Sequence, residues 1–82
     1  MNTKFHFEKY LRYFAQYKQR FQKSRHYLKK AERYLEKGKQ YPENSKRYLE
    51  YGNRNIDKSR RYLSAAKRYL ECAKHHLEIS RR

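Results

Sequence analysis

The chain reads as an all-α protein, an antiparallel helical hairpin with heptad, coiled-coil-like packing. Three observations predict this. A large apolar residue recurs every seventh position, at Phe7, Phe14, Phe21, Leu28, Leu35, Leu49, Ile56, Leu63, Leu70 and Leu77. Three residues after it stands a small one in most repeats: Ser24, Ala31, Gly38, Ser45, Gly52, Ser59, Ala66, Ala73 and Ser80. The apolar series is broken once, by Pro42, midway along the 82 residues. A period of seven held this long marks helices that pack along a seam.

Naming the apolar column a, the residue before it is column g, usually tyrosine: Tyr13, Tyr27, Tyr34, Tyr41, Tyr48, Tyr62 and Tyr69. The small column is d. On a helix these three columns form one apolar arc of about 120°, with d in its middle. Two helices can therefore approach closely along d, with Leu and Tyr closing the sides. Tyrosine suits that flank, because its ring is apolar and its hydroxyl reaches water.

The first helix is expected over residues 3 to about 37. Asn2 or Thr3 can cap it, but neither has Glu or Gln three residues on, so the signal is partial. Its first repeats are bulky: Tyr10 and Tyr17 at d, Phe at a, with Phe5 and Leu11 nearby. Gly38 suits a left-handed terminating position. A turn is expected over 38–42, since proline is disfavoured inside a helix and welcome in its first turn. Glu43 favours the positive end of a new helix.

The second helix is expected over residues 43–80. Tyr51-Gly52-Asn53-Arg54-Asn55 offers a possible break that would make three helices. Gly52 belongs to the small column and Ile56 keeps the register, which favours a continuous helix. If the chain reverses near residue 41, Tyr17 lies near Ala66 and Tyr10 near Ala73. Bulky then meets small, as interdigitated packing requires. That favours a hairpin over a rod kinked at Pro42, although the heptad phase continues through the turn. One such hairpin has a thin core, so an oligomeric bundle is expected. Tyr10, Phe14, Tyr17, Leu63, Ala66, Leu70 and Ala73 are the candidate association residues.

Charge carries the functional reading. Lys and Arg number 23 against 8 acids, a formal net charge of +15. Such a charge favours an anionic partner: nucleic acid, an acidic protein or an anionic membrane surface. Column f is rich in arginine, but acids at b lie four residues before several of these. Glu8–Arg12, Glu43–Arg47, Glu50–Arg54, Asp57–Arg61 and Glu78–Arg82 are expected i,i+4 pairs on a solvated face. Columns e and c are less compensated. A basic strip along a rod can track phosphates without reading bases. The candidate nucleic-acid-binding residues are Lys18, Arg20, Arg25, Lys30, Arg33, Lys46, Arg60, Lys67, Arg68, Lys74 and Arg81.

The expected role is sequence-nonspecific nucleic-acid binding for packaging, compaction or scaffolding. The rival is a structural module that self-assembles, or docks an acidic protein, through the Tyr–Leu–small face. A third reading lays the basic, aromatic segment 4–21 on anionic lipid; the acids at b and the small d column weigh against it. Base stacking on the tyrosines competes with their packing role.

Catalysis is not expected. No nucleophile–base–orienter set or glycine-rich phosphate loop is present. Cys72, His75 and His76 are close on one helix but fall short of a four-ligand zinc set; neither metal nor cofactor is expected. The lone Cys72 fits a reducing, intracellular compartment or a nucleoprotein assembly. No stretch is apolar enough to span a membrane, and no signal-peptide core is apparent.

Overall fold

The computed structural model describes residues 2–82. It holds two long helices, α1 (Asn2–Gln40) and α2 (Ser45–Arg81), joined by Tyr41 and a 3₁₀ turn over Pro42–Asn44. The helices pack antiparallel as a hairpin measuring 64 × 12 × 12 Å. Local propensity supports them: Thr3, Ile56 and Ile79 are the chain's only β-branched residues, and Leu, Lys, Arg and Glu are frequent. No helix is long and apolar enough to cross a membrane.

The turn differs from the expected one in detail. Gly38 does not terminate α1, and no glycine has a positive φ. The helix runs on to Gln40, and the Tyr41 amide still donates to the Lys37 carbonyl at 2.9 Å. Gly38 instead lies within the helix against the start of α2, where a Cβ would make ordinary contacts, 3.5 Å from the Tyr48 Cβ and 3.6 Å from the Ser45 carbonyl oxygen. Reversal falls on Tyr41, whose φ of −121° and ψ of 80° lie outside the helical region that a following proline disfavours. Pro42 opens the 3₁₀ turn, so α2 proper starts at Ser45, slightly later than expected.

At the other end, Thr3 lies within α1 and does not precede it. Capping by the Asn2 side chain lies outside the described residues. α2 passes through Gly52 without a break. Just beyond it the Asn55 side-chain amide donates to the Tyr51 carbonyl at 2.8 Å.

The core is a single line of small residues. Ser24, Ala31, Gly52, Ser59, Ala66 and Ala73 are buried, all of them at d. Among the described residues no large side chain is fully buried. The register is fixed at the centre: the Ser59 hydroxyl donates to the Ser24 carbonyl at 2.8 Å, and the two hydroxyls lie 3.0 Å apart. That pairing sets Tyr17 opposite Ala66 and Tyr10 opposite Ala73. Both alanines are 0% exposed, and both tyrosines are half-buried. The alanines fill the centre of the seam, so the rings lean aside onto the phenylalanines. The ladder Phe7–Tyr10–Phe14–Tyr17–Phe21 has centroid spacings of 5.9, 5.7, 5.6 and 5.9 Å.

Candidate nucleic-acid interface

With d turned towards the partner helix, the other columns take fixed directions. Column g stands about 60° to one side and c about 100° to the same side; a and e stand correspondingly on the other, and b and f point outward. Because the helices are antiparallel, g meets g and a meets a. The hairpin therefore has two long faces, one of tyrosine and one of Phe and Leu.

The tyrosine face is closed by rings. Tyr27 and Tyr62 stack with centroids 5.5 Å apart and planes 3° from parallel. Tyr13 reaches Tyr69 at 6.2 Å, and Tyr34 reaches Tyr48 at 6.4 Å. Cations lie over the rings. Lys30 and Lys58 both stand over Tyr27, at 5.6 and 5.4 Å, and Lys23 stands over Tyr62 at 5.5 Å. Arg20 covers Tyr69 at 5.5 Å and Lys37 covers Tyr34 at 6.0 Å. Each of these placements is favourable, and each holds an amine or guanidinium on this face.

The face also carries no acid. Of the 8 acidic residues, Glu8, Glu36, Glu43, Glu50, Asp57, Glu71 and Glu78 are at b and Glu32 is at e. Columns g and c hold Lys9, Arg20, Lys23, Lys30, Lys37 and Lys58 and nothing negative. Two shallow grooves flank the Tyr27–Tyr62 stack. One, of about 470 Å³, is lined by Arg20, Tyr27, Lys58, Arg61, Tyr62 and Ala65. The other, of about 460 Å³, is lined by Gln19, Gln22, Lys23, His26, Tyr27 and Tyr62.

The candidate cations read from sequence do not fall on one surface. Arg20 and Lys30 belong to the tyrosine face. Lys18, Arg25, Lys46, Arg60, Lys67, Lys74 and Arg81 are at e, on the Phe and Leu side. Arg33 and Arg68 are at f, on the outer flank. Lys23, Lys37 and Lys58 complete the tyrosine face; their signal was column c, whose place beside g becomes meaningful once g meets g. The expected i,i+4 pairs do not close: the ion pair found among the described residues is Lys74–Glu71, at 4.0 Å. Exposed arginines gain little from such pairing, and Arg54 sits over the Tyr51 ring at 5.9 Å instead of on Glu50.

The candidate association residues are placed within the hairpin. Ala66 and Ala73 are enclosed by it, Tyr10, Phe14 and Tyr17 form the ladder, and Leu63 and Leu70 are half-buried on the Phe and Leu face.

At the open end the tyrosine column becomes histidine. His6 Nδ1 and His76 Nδ1 lie 2.8 Å apart, so one ring donates and the other accepts. His76 also stacks on Tyr13, with centroids 5.5 Å apart. Partial burial, then the charges of His6, His75 and Lys9, push its pKa below the ordinary value. Among the described residues no group of three His, Cys, Asp or Glu side chains is placed to hold a metal ion.

No family model matches the chain, and no curated protein or solved structure does either.

Proposed function

We propose that the chain binds nucleic acid without sequence preference, through its tyrosine face. The observation that carries this reading is the acid-free ribbon of stacked tyrosines overlaid by Arg20, Lys23, Lys30, Lys37 and Lys58. Lys23, Lys30 and Lys37 repeat every seven residues, about 10.5 Å apart along α1. A straight row of amines suits a polyanion's backbone. Held over rings, the amines spend less entropy on meeting a phosphate than free side chains would. Contacts of amines to phosphates carry no sequence information, so binding of this kind follows charge and contour. The tyrosines act here as the platform that positions cations, and packaging, compaction or scaffolding are the roles such binding serves.

The test compares duplex DNA and single-stranded RNA across a salt series, with heparin as competitor. Replacing Lys23, Lys30 and Lys37 by Gln is expected to weaken binding to all sequences alike, with helicity unchanged. On duplex DNA the slope of log affinity against log salt should become shallower by roughly 0.9 for each phosphate that is no longer neutralised. Replacing Lys18, Lys67 and Lys74, on the opposite face, should do much less. Equal loss from both sets, or heparin matching every nucleic acid, would reduce the reading to net charge.

A further inference from the structure

The face opposite the tyrosines is apolar, open and rimmed with cations. Phe7, Phe21, Leu28 and Leu49, all at a, remain 47%, 37%, 45% and 51% exposed, and Leu11 at e adds a fifth exposed side chain. The aromatic ladder makes the α1 half of this face continuous from Phe7 to Phe21. Column e, which flanks the strip on both sides, carries nine cations and one acid, Glu32. The remaining acids stand at b, about 160° from the seam and about 60° beyond e on the same side, so they line the outer edge of this face.

We propose that this face lies flat on an anionic lipid surface. Phe7, Leu11, Phe21, Leu28 and Leu49 enter the boundary of the acyl chains, and the e-column amines and guanidiniums meet the headgroup phosphates. Exposed apolar side chains between long basic ones are what an interfacial helix needs: the stems lie along the apolar region and the charged ends stay at phosphate level. Of the two features that oppose such a reading of a single helix, the small d column is turned inward against the partner helix, and the b acids stand at the outer edge of the face, about 100° from the a column.

Charge complementarity selects the occupant. A second copy on this face would set two rows of e-column cations towards one another with almost no acid between them, and like charges so placed repel. Duplex or single-stranded nucleic acid would meet the cations but cover Phe and Leu with hydrated phosphates. Anionic lipid satisfies both features at once. The groove near the turn has the same mixed character on a smaller scale. Its volume is about 540 Å³, and it is lined by Leu35, Leu49, Gly38 and Ser45 with Lys39 and Lys46. Among the described residues no helix is long and apolar enough to cross a membrane, and the mode proposed is surface binding.

The proposal is independent of the nucleic-acid reading, because it uses the other face. Its test is co-sedimentation of the full chain with vesicles of phosphatidylcholine, alone or mixed with phosphatidylglycerol. The chain contains no tryptophan, so Leu28→Trp supplies a fluorescence reporter on the lipid-facing strip. The expected result is binding to the anionic vesicles only, with a blue shift of the Trp emission. Phe21→Ser with Leu28→Ser should cut partitioning about tenfold or more while the circular dichroism stays helical, because both side chains are exposed in the hairpin. The Lys23, Lys30 and Lys37 to Gln variant should keep vesicle binding, which separates failure here from failure of the other face. The proposal is overturned by no binding to anionic vesicles at low salt, or by binding that the double serine variant retains in full. It is equally overturned if sedimentation equilibrium shows a dimer that the serine variant splits while vesicles are ignored, or if an acidic helical peptide shifts the Trp emission and vesicles do not.

Discussion

The two long faces of the hairpin grow from one repeat, yet one is closed and the other is open. On the tyrosine face, rings from α1 and α2 reach across the seam and touch, and lysines lie over them. On the opposite face Leu28 and Leu49, without the reach of a tyrosine, are left half in water. Both faces flank the same small seam. The seam therefore sets the distance between helices, and side-chain length decides whether each face closes. Charge follows the same division: the closed face holds cations on rings without acids, and the open face holds cations around an apolar strip.

The largest expected effect comes from breaking the spacing both faces depend on. Ala66 is 0% exposed, with Tyr17 opposite it in register. Ala66→Leu must push the helices apart, which would separate Tyr27 from Tyr62 on one face and widen the Phe and Leu strip on the other. Overpacking a close approach costs about 1–3 kcal/mol. Ala15→Leu, at exposed position b, adds the same side chain where nothing is near and should change stability little. Urea denaturation of the two variants measures the difference. Equal stabilities would mean that the seam is not the determinant of spacing.

A smaller effect is expected at the centre of the seam. Ser59→Ala removes the hydroxyl that donates to the Ser24 carbonyl and leaves the Ser24 hydroxyl buried without its partner. The expected loss is about 1 kcal/mol. Removing both hydroxyls, as Ser24→Ala with Ser59→Ala, should recover most of it, because alanine is already the seam residue at positions 31, 66 and 73. A double-mutant cycle read by thermal denaturation tests this. Additive losses would show that the pair is not coupled.

The heptad made the hairpin and its seam legible, because burial at d needs only period and residue size. The pairing of Tyr10 and Tyr17 with Ala73 and Ala66 was legible too, since reversal near residue 41 leaves little choice of register. Three features were hidden. Gly38 fits a helix end by local rules, and only the structure shows α1 running past it to Gln40, whereas the repeat itself placed Gly52 in the small column of a continuous helix. The b-to-f ion pairs follow from spacing alone, whereas solvated arginines have little reason to form them. The division of the cations into two faces requires knowing that g meets g. Ranking cations by missing acid partners groups Lys18 with Lys30, although the fold puts them on opposite sides.

Gly52→Ala should be smaller again, and its sign depends on the open face. Alanine gains about 0.8–1.0 kcal/mol of helix propensity over glycine. Against this, a Cβ at Gly52 would lie 3.0 Å from Leu35 Cδ2 and 3.1 Å from Leu35 Cγ. Leu35 lines the groove near the turn, so it has room to yield. The gain and the crowding should nearly cancel, with a slight rise in thermal midpoint. A clear fall would show that Leu35 is held, and that the open face is more tightly packed at this end than its exposed leucines imply.

The last expectation concerns the place where the tyrosine face runs out. His76 occupies a tyrosine column, and its pKa is lowered by partial burial and then by His6, His75 and Lys9. The folded chain thus favours the neutral ring, while the unfolded chain protonates at the ordinary value of 6.5. As pH falls through that value, the unfolded state binds the proton first, so stability present above it is lost below it. The His6–His76 hydrogen bond fits this direction, because one ring must keep a lone pair to accept. The effect should be the smallest of these, since the ring is only partly shielded from water. Placing the column's usual residue there, as His76→Tyr, removes the titrating group and keeps a ring against Tyr13. The urea midpoint of the variant should therefore fall less than that of the original chain as the solution is acidified below 6.5. If both fall alike, the pH response belongs to other groups, and the open end is closed by ring packing alone.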